Sequence, residues 1–242
     1  MLARWRSPLL TARLKELRRT KLYDLVAVAP LLAWYLYCAV HMLPPLLDQF
    51  ALIRLFVRTD PSVLPATLVL STISHAGTLV FFVVLIVMFA VRHIPQRTAP
   101  GFYSRFAAVS GTLVSAGFVL LPLQELSFGL YLTSLVLIII GTTLAIWAAL
   151  VLGRSISLFP EARRLVIGGP YALVRHPLYL GEMIAVTGVA LQYWSEWALL
   201  LFGLVCMFQL QRIKYEEQVL SEMFPEYRDY MARTDRLVPG VY

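Results

Sequence analysis

The chain has 242 residues, of which 59% are hydrophobic and 14% charged, and its mean hydropathy is +0.73. Soluble domains carry about 25% charged residues, so this composition excludes an ordinary soluble protein and indicates a single membrane domain over residues 1–242. The net charge of +7 would suit a nucleic-acid partner, but the basic residues lie at the ends of apolar runs. That placement favours contacts with lipid headgroups and argues against nucleic acid.

The apolar runs predict an all-α, polytopic membrane protein. Seven basic residues precede the first run, and we interpret residues 1–21 as a basic lead-in on the cytoplasmic side. Residues 22–152 contain four runs of about 20 residues, each long enough to cross a bilayer. We place these spans near 22–43, 68–91, 106–123 and 129–152.

The region 153–242 continues with two shorter apolar runs, near 178–194 and 197–211. Their length predicts a tight helical hairpin. Apolar residues keep a helical spacing beyond the second run, so the last helix is predicted to leave the membrane and continue to about residue 223. The aromatic segment 224–230 is predicted to be amphipathic and to pack back on the cytoplasmic face, with structural aromatics.

The distribution of Lys and Arg predicts six crossings with both termini in the cytoplasm. This arrangement leaves only Arg54 and Arg58 of the 21 basic residues outside. It places the region 153–242, which we interpret as catalytic, on the cytoplasmic side. Both cysteines lie inside apolar runs, and no Cys/His cluster predicts a metal site.

A polar, glycine-framed stretch occupies residues 168–182. His176 precedes Pro177, and proline is favoured at the first helical position, so a helix is predicted to begin at Pro177 with His176 at its cap. The free N–H groups of a helix start suit a carboxylate, and Arg175 and His176 add donors there. Each residue alone is compatible with a turn or a membrane-surface position, but the clustering of aromatic and ionisable side chains favours a site.

A second polar group lies on the last helix. Arg212 and Glu216 are four residues apart and share one helix face. They are compatible with an ordinary surface pair. Glu217, however, adds a like charge next to Glu216 beside an apolar helix, which favours a catalytic role for Arg212, Glu216 and Glu217.

Three motifs together resemble the isoprenylcysteine carboxyl methyltransferase family and the related phospholipid methyltransferases. They are Gly-Pro-Tyr at 169–171, Arg-His-Pro-x-Tyr-x-Gly at 175–181 and Arg-x-x-x-Glu-Glu at 212–217. The resemblance covers about residues 150–240 and implies a helical membrane enzyme that uses S-adenosylmethionine without a Rossmann domain. It implies that Arg212 and Glu216 face the methyl acceptor. It also implies a cofactor pocket, to which we add Arg175, lined by Arg163, Arg164, Leu165, Val166, Tyr171, His176, Pro177, Leu178 and Tyr179.

Methyl transfer from a sulfonium is an in-line displacement, so an enzyme mainly positions the reactants and excludes water. Tyr171 and Tyr179 are candidates for holding the cation on their aromatic faces. The expected acceptor is a lipophilic molecule or a membrane lipid that enters from the bilayer. Arg212 would orient a carboxylate acceptor, and Glu216 would take the proton of an amine.

Two alternative functions remain open at this point. A membrane reductase of the steroid-reductase type, which uses NADPH, is similar over Pro-x-Tyr-x-Gly-Glu at 177–182. Such proteins carry Asn before that Tyr, where this chain has Leu178. The other alternative is a non-enzymatic membrane scaffold or small transporter, although ionisable groups are nearly absent from mid-span positions.

Overall fold

The computed structural model describes residues 20–98 and 102–241, so the predicted lead-in, residues 1–21, lies almost entirely outside the described residues. The chain is mostly helical, as predicted. Two short antiparallel strands, β1 (Arg97–Thr98) and β2 (Glu161–Ala162), pair Arg97 with Ala162. The helices are α1 (Lys21–Thr59), α2 (Ala66–Val91), α3 (Phe102–Ala116), α4 (Phe128–Leu152), α5 (Pro177–Gln192), α6 (Glu196–Met223) and α7 (Tyr227–Arg233).

Four helices are long and apolar enough to cross a membrane: Lys21–Thr59, Ala66–Val91, Phe128–Ser155 and Glu196–Met223. The predicted span 106–123 is shorter, since α3 gives way to a 3-10 turn at Gly117–Leu120. The predicted run 178–194 is α5, with 16 residues. The predicted extension of the last helix is confirmed, because α6 continues unbroken to Met223.

The predicted end of the first span near residue 43 is wrong, because α1 continues to Thr59 with Pro44 and Pro45 inside it. The apolar run does not stop at these prolines, and neighbouring packing lets membrane helices tolerate proline. The helix ends instead at Asp60, which is extended before Pro61 and whose carboxylate accepts from the Ser62 N–H at 3.0 Å.

Helices α4 and α5 pack backbone against backbone. A Cβ on Gly141 would lie 2.3 Å from the Ala185 nitrogen, and one on Gly181 would lie 2.7 Å from the Ala145 nitrogen. Small residues that permit such an approach are typical of membrane-helix interfaces. As a result, α5 packs far more extensively on α4 than on α6. The predicted tight hairpin would instead have paired α5 mainly with α6.

Polar segments gather at one end of the bundle. There the start of α1, the end of α2 and the connection between α4 and α5 meet through Asp24, Arg92 and Arg163. The start of α5 and the polar half of α6 join them through His176 and Glu217. At the opposite end the core consists of Phe118, Ala190 and Ala198. The first end, called the polar end below, carries the candidate site.

Candidate functional site

A cavity opens at the polar end, and we call it the polar pocket. Its walls come from the α4–α5 connection, the start of α5, the end of α6 and α7. Pro177 is buried at the first position of α5. Nine of the ten residues predicted to bind the cofactor line the pocket: Arg163, Arg164, Leu165, Val166, Tyr171, Arg175, His176, Leu178 and Tyr179.

Arg163 lines the polar pocket and belongs to a buried network of ion pairs. One of its terminal nitrogens, Nη2, donates to Asp24 at 2.9 Å and to Glu161 at 2.7 Å. Arg92 holds the same Asp24 carboxylate with two hydrogen bonds, at 2.9 and 2.8 Å. Arg163 is 2% exposed and Arg92 is 1% exposed, so the positive charges of both guanidinium groups must be compensated by these carboxylates.

The helix start predicted at Pro177 is confirmed, with His176 as its N-cap residue. The His176 side chain makes no cap hydrogen bond; its Nε2 lies 3.1 Å from Glu217 Oε1. Arg175 Nε donates to the same oxygen at 2.8 Å, and Arg236 donates to Glu217 Oε2 at 2.7 Å. Three basic side chains therefore surround the Glu217 carboxylate, and Glu217 lines neither cavity described here.

The C-terminal segment supplies part of this arrangement. The N–H groups of Arg175 and His176 donate to the carbonyl groups of Asp235 and Arg236 at 2.8 and 3.1 Å. The aromatic segment, predicted to pack back on the cytoplasmic face, contains α7, where Tyr227 is 1% exposed. The sequence interpretation missed the contribution of Arg236, for which no motif gave a signal.

Tyr179 connects the two polar groups that the sequence singled out. Its hydroxyl donates to Glu216 Oε2 at 2.7 Å, and the guanidinium carbon of Arg212 lies 4.9 Å from its ring centroid. Glu216 faces the polar pocket, whereas Arg212 faces a second cavity. One face of the Tyr179 ring is therefore already occupied by a cation.

The second cavity is larger and mainly apolar. We call it the apolar cavity. Its aromatic wall comes from α1 and α2 and includes Trp34, Tyr35, Phe81, Phe82 and Phe89. At the other side lie Glu182, Gln209 and Arg212, and the cavity shares two lining residues, Ser157 and Leu178, with the polar pocket.

The lining residues absent from the predicted site include Tyr227 and Tyr230 in the polar pocket, and Glu182 and Gln209 in the apolar cavity. Gln209 offered a signal, being an amide inside an apolar run. The Tyr230 hydroxyl donates to the Tyr171 carbonyl at 2.5 Å. Burial raises the pKa of Tyr230 to about 12 and also raises the pKa of Tyr171 and of Tyr227, so these phenols stay neutral.

The fold and the site define a class: a helical membrane protein in which a polar pocket with buried basic groups adjoins an apolar cavity. Comparison with known sequences gives a more specific assignment for the C-terminal region. Residues 130–227, from α4 to the start of α7, match the family model of phospholipid methyltransferases. This match agrees with the resemblance seen in the sequence, and a methyltransferase family implies a methyl donor.

The individual relatives include two proteins named as methyltransferases and one named as a metal-resistance protein. The chain is 33% identical to protein-S-isoprenylcysteine O-methyltransferase B of Arabidopsis thaliana over 114 residues, which are 44% of this chain and 58% of that protein. It is 32% identical over 126 residues to a probable protein-S-isoprenylcysteine O-methyltransferase of Oryza sativa subsp. indica, covering 49% and 65%. A nickel-cobalt-cadmium resistance protein of Alcaligenes xylosoxydans xylosoxydans is 31% identical over 106 residues, covering 41% and 47%. The chain thus spans about half to two thirds of the length of these relatives.

Proposed function

We propose that the protein is an integral-membrane methyltransferase that moves a methyl group from S-adenosylmethionine to a lipophilic acceptor. One observation carries the proposal: the polar pocket and the apolar cavity share Ser157 and Leu178. A polar donor and an apolar acceptor can therefore meet at one junction, which is the main requirement of an in-line transfer. The methyltransferase family match over residues 130–227 supports it.

The polar pocket fits such a methyl donor. Arg163 Nε and Nη1 are buried and have no hydrogen-bond partner within the described part of the chain, and the Tyr227 hydroxyl is in the same state. A buried donor left unpaired costs about 1–3 kcal/mol, which a bound acceptor group would offset. Arg163 and Arg164 would hold the carboxylate of the donor, and Tyr171 offers an aromatic face for its cation. When bound, S-adenosylmethionine supplies the methyl group on a sulfonium.

The chain's own residues then orient the acceptor. Arg212 reaches the apolar cavity from α6, and Glu216, one turn later, holds the Tyr179 hydroxyl between the two cavities. In this proposal Arg212 positions the reacting group of the acceptor. Glu216 holds the Tyr179 side chain in an orientation that keeps water out of the junction. Glu217 supports the start of α5 through His176 and Arg175.

The direction of entry follows from the two environments. The polar donor enters from the cytoplasm, where the Lys and Arg distribution puts the polar end, and the acceptor enters from the bilayer. The aromatic wall of the apolar cavity, on α1 and α2, suits a hydrocarbon chain.

Ligand binding by the purified protein in detergent tests this function. Isothermal calorimetry should show binding of S-adenosylhomocysteine, the demethylated product, and of S-adenosylmethionine. Methyl-labelled donor should then label a component of a membrane lipid extract. Binding of NADPH with no response to either methyl-donor compound would support the reductase alternative and refute the proposal.

A further inference from the structure

Glu182 is a carboxylate that faces the apolar cavity. It lies on α5, one helical turn beyond Leu178, the residue that both cavities share. Of the described residues that line the apolar cavity, Glu182 is the single acid and Arg212 the single base. An ionisable group among membrane helices is costly and usually marks a function.

A hydrogen bond from a neutral amide holds the Glu182 carboxylate in place. Gln209 Nε2 donates to Glu182 Oε2 at 2.5 Å, and Gln209 Oε1 accepts from Arg212 Nη1 at 2.9 Å. The neutral amide thus separates the carboxylate from the guanidinium, and no cation of the described residues lies within 4.0 Å of Glu182. A purely structural ion pair would gain more from direct contact.

The Arg212 guanidinium is already held by several groups of the protein. Its Nη1 is engaged by Gln209, its Nη2 donates to the Leu158 carbonyl at 3.3 Å, and its guanidinium stacks on Tyr179. Its Nε has no hydrogen-bond partner among the described residues. A second carboxylate would also share the apolar cavity with Glu182, and like charges in such a site are unfavourable.

We propose that Glu182 is a catalytic proton acceptor and that the methyl acceptor is a lipophilic amine or hydroxyl compound, which enters with a proton on its nucleophile. This inference rests on the proposed methyl transfer. The lone pair of the nitrogen or oxygen forms the new bond to the methyl carbon, and the carbon–sulfur bond of the sulfonium breaks with its electron pair on sulfur. The proton of the nucleophile passes to Glu182, whose carboxylate Gln209 holds at the cavity wall.

Binding of chain-matched probes without any methyl donor gives the first test. Dodecylamine, para-dodecylphenol and dodecanoic acid share the alkyl chain and differ in the polar group. Thermal stabilisation in detergent should be larger with the amine and the phenol than with the acid. In Glu182→Gln the amine should lose at least tenfold in affinity and the acid should bind more tightly than to the parent. Glu196→Gln removes the same charge at an exposed position on α6 and should leave all three responses unchanged.

Methyl transfer with labelled S-adenosylmethionine gives the second test. The amine or the phenol should gain label, and which of the two does so identifies the nucleophile. Loss of a general base typically costs about a hundredfold or more, so Glu182→Gln should slow transfer by this factor with unchanged S-adenosylhomocysteine affinity. The parent rate should rise with pH through an ionisation that the variant lacks.

Either of two results would overturn the inference. One is label on the acid probe alone or on no probe; the other is parent-like transfer by Glu182→Gln. Both leave the proposed function intact as long as S-adenosylhomocysteine binds, whereas loss of that binding in the parent protein refutes the proposed function itself.

Discussion

Glu216 and Glu217 are neighbours in sequence with different environments. Both were predicted to be catalytic, because two adjacent like charges on an apolar helix are a poor structural choice. Adjacent helical residues point about 100° apart, and the packing of α5 decides what each one meets. Glu216 faces the polar pocket and Tyr179, while Glu217 is enclosed by Arg175, His176 and Arg236.

The two glutamates should therefore respond differently to the same substitution. Glu217→Gln removes the charge that compensates three basic groups and should lower the free energy of unfolding by roughly 3 kcal/mol. Glu216→Gln keeps an oxygen for the Tyr179 hydroxyl and should cost under about 1 kcal/mol, while methyl transfer falls about tenfold or more. Thermal melting in detergent and single-turnover transfer measure the two effects. Equal loss of stability in both variants would contradict this division of roles.

At the scale of helices, the close approach of α4 and α5 fixes the position of the α5 start. Gly188 lies in this interface and lines neither cavity, and a Cβ there would be 2.5 Å from the Ser134 carbonyl oxygen. Gly188→Ala should therefore destabilise the protein by about 1–3 kcal/mol, because backbone atoms must move apart. Gly203→Ala on α6 is the matched control, since a Cβ there meets nothing within 4 Å. It should be neutral or slightly stabilising in the same melting experiment.

Helix α1 is tied to the polar pocket through Asp24. Asp24→Asn should leave Arg92 and Arg163 without the negative charge that they share, and should lower the free energy of unfolding by roughly 3 kcal/mol. It should also weaken S-adenosylhomocysteine binding, because Arg163 lines the polar pocket. Asp48→Asn changes an exposed residue of the same helix and should alter neither quantity. Melting curves and calorimetry on both variants provide the comparison. Normal binding by a folded Asp24→Asn protein would show that α1 does not position Arg163.

For the whole molecule, we expect six crossings with the polar end in the cytoplasm. The four long apolar helices account for four of them, and α3 with its 3-10 extension and α5 would supply the others. The Lys and Arg distribution and the gathering of the polar segments at one end favour this arrangement.

Single cysteines in a cysteine-free background test this topology with a membrane-impermeant thiol reagent on intact cells. Cysteines at Ser62 and Ser195 should be labelled from outside, and one at Ser221 only after the membrane is opened. If α5 does not cross, Ser195 will lie on the same side as the start of α5 and will not be labelled from outside. External labelling of Ser221 would contradict the cytoplasmic position of the polar end.

The sequence by itself determined those features that depend on neighbouring residues or on overall hydrophobicity. The composition indicated a membrane protein, the His176–Pro177 pair marked the start of α5, and the continuing apolar spacing carried α6 to Met223. The motifs also named the residues that line the polar pocket, because most of them lie in the short stretch between residues 163 and 179. Local sequence determines such features directly.

Only the tertiary structure decided how distant segments face one another. It showed that α1 runs past Pro44 and Pro45, that α5 packs on α4, and that Glu217 belongs to an ion cluster completed by Arg236. It also brought Glu182 and Gln209, 27 residues apart, to one wall of the apolar cavity. Helical spacing fixes which residues share a face, but the neighbour of that face depends on how closely two backbones can approach, and this is a property of the packed bundle.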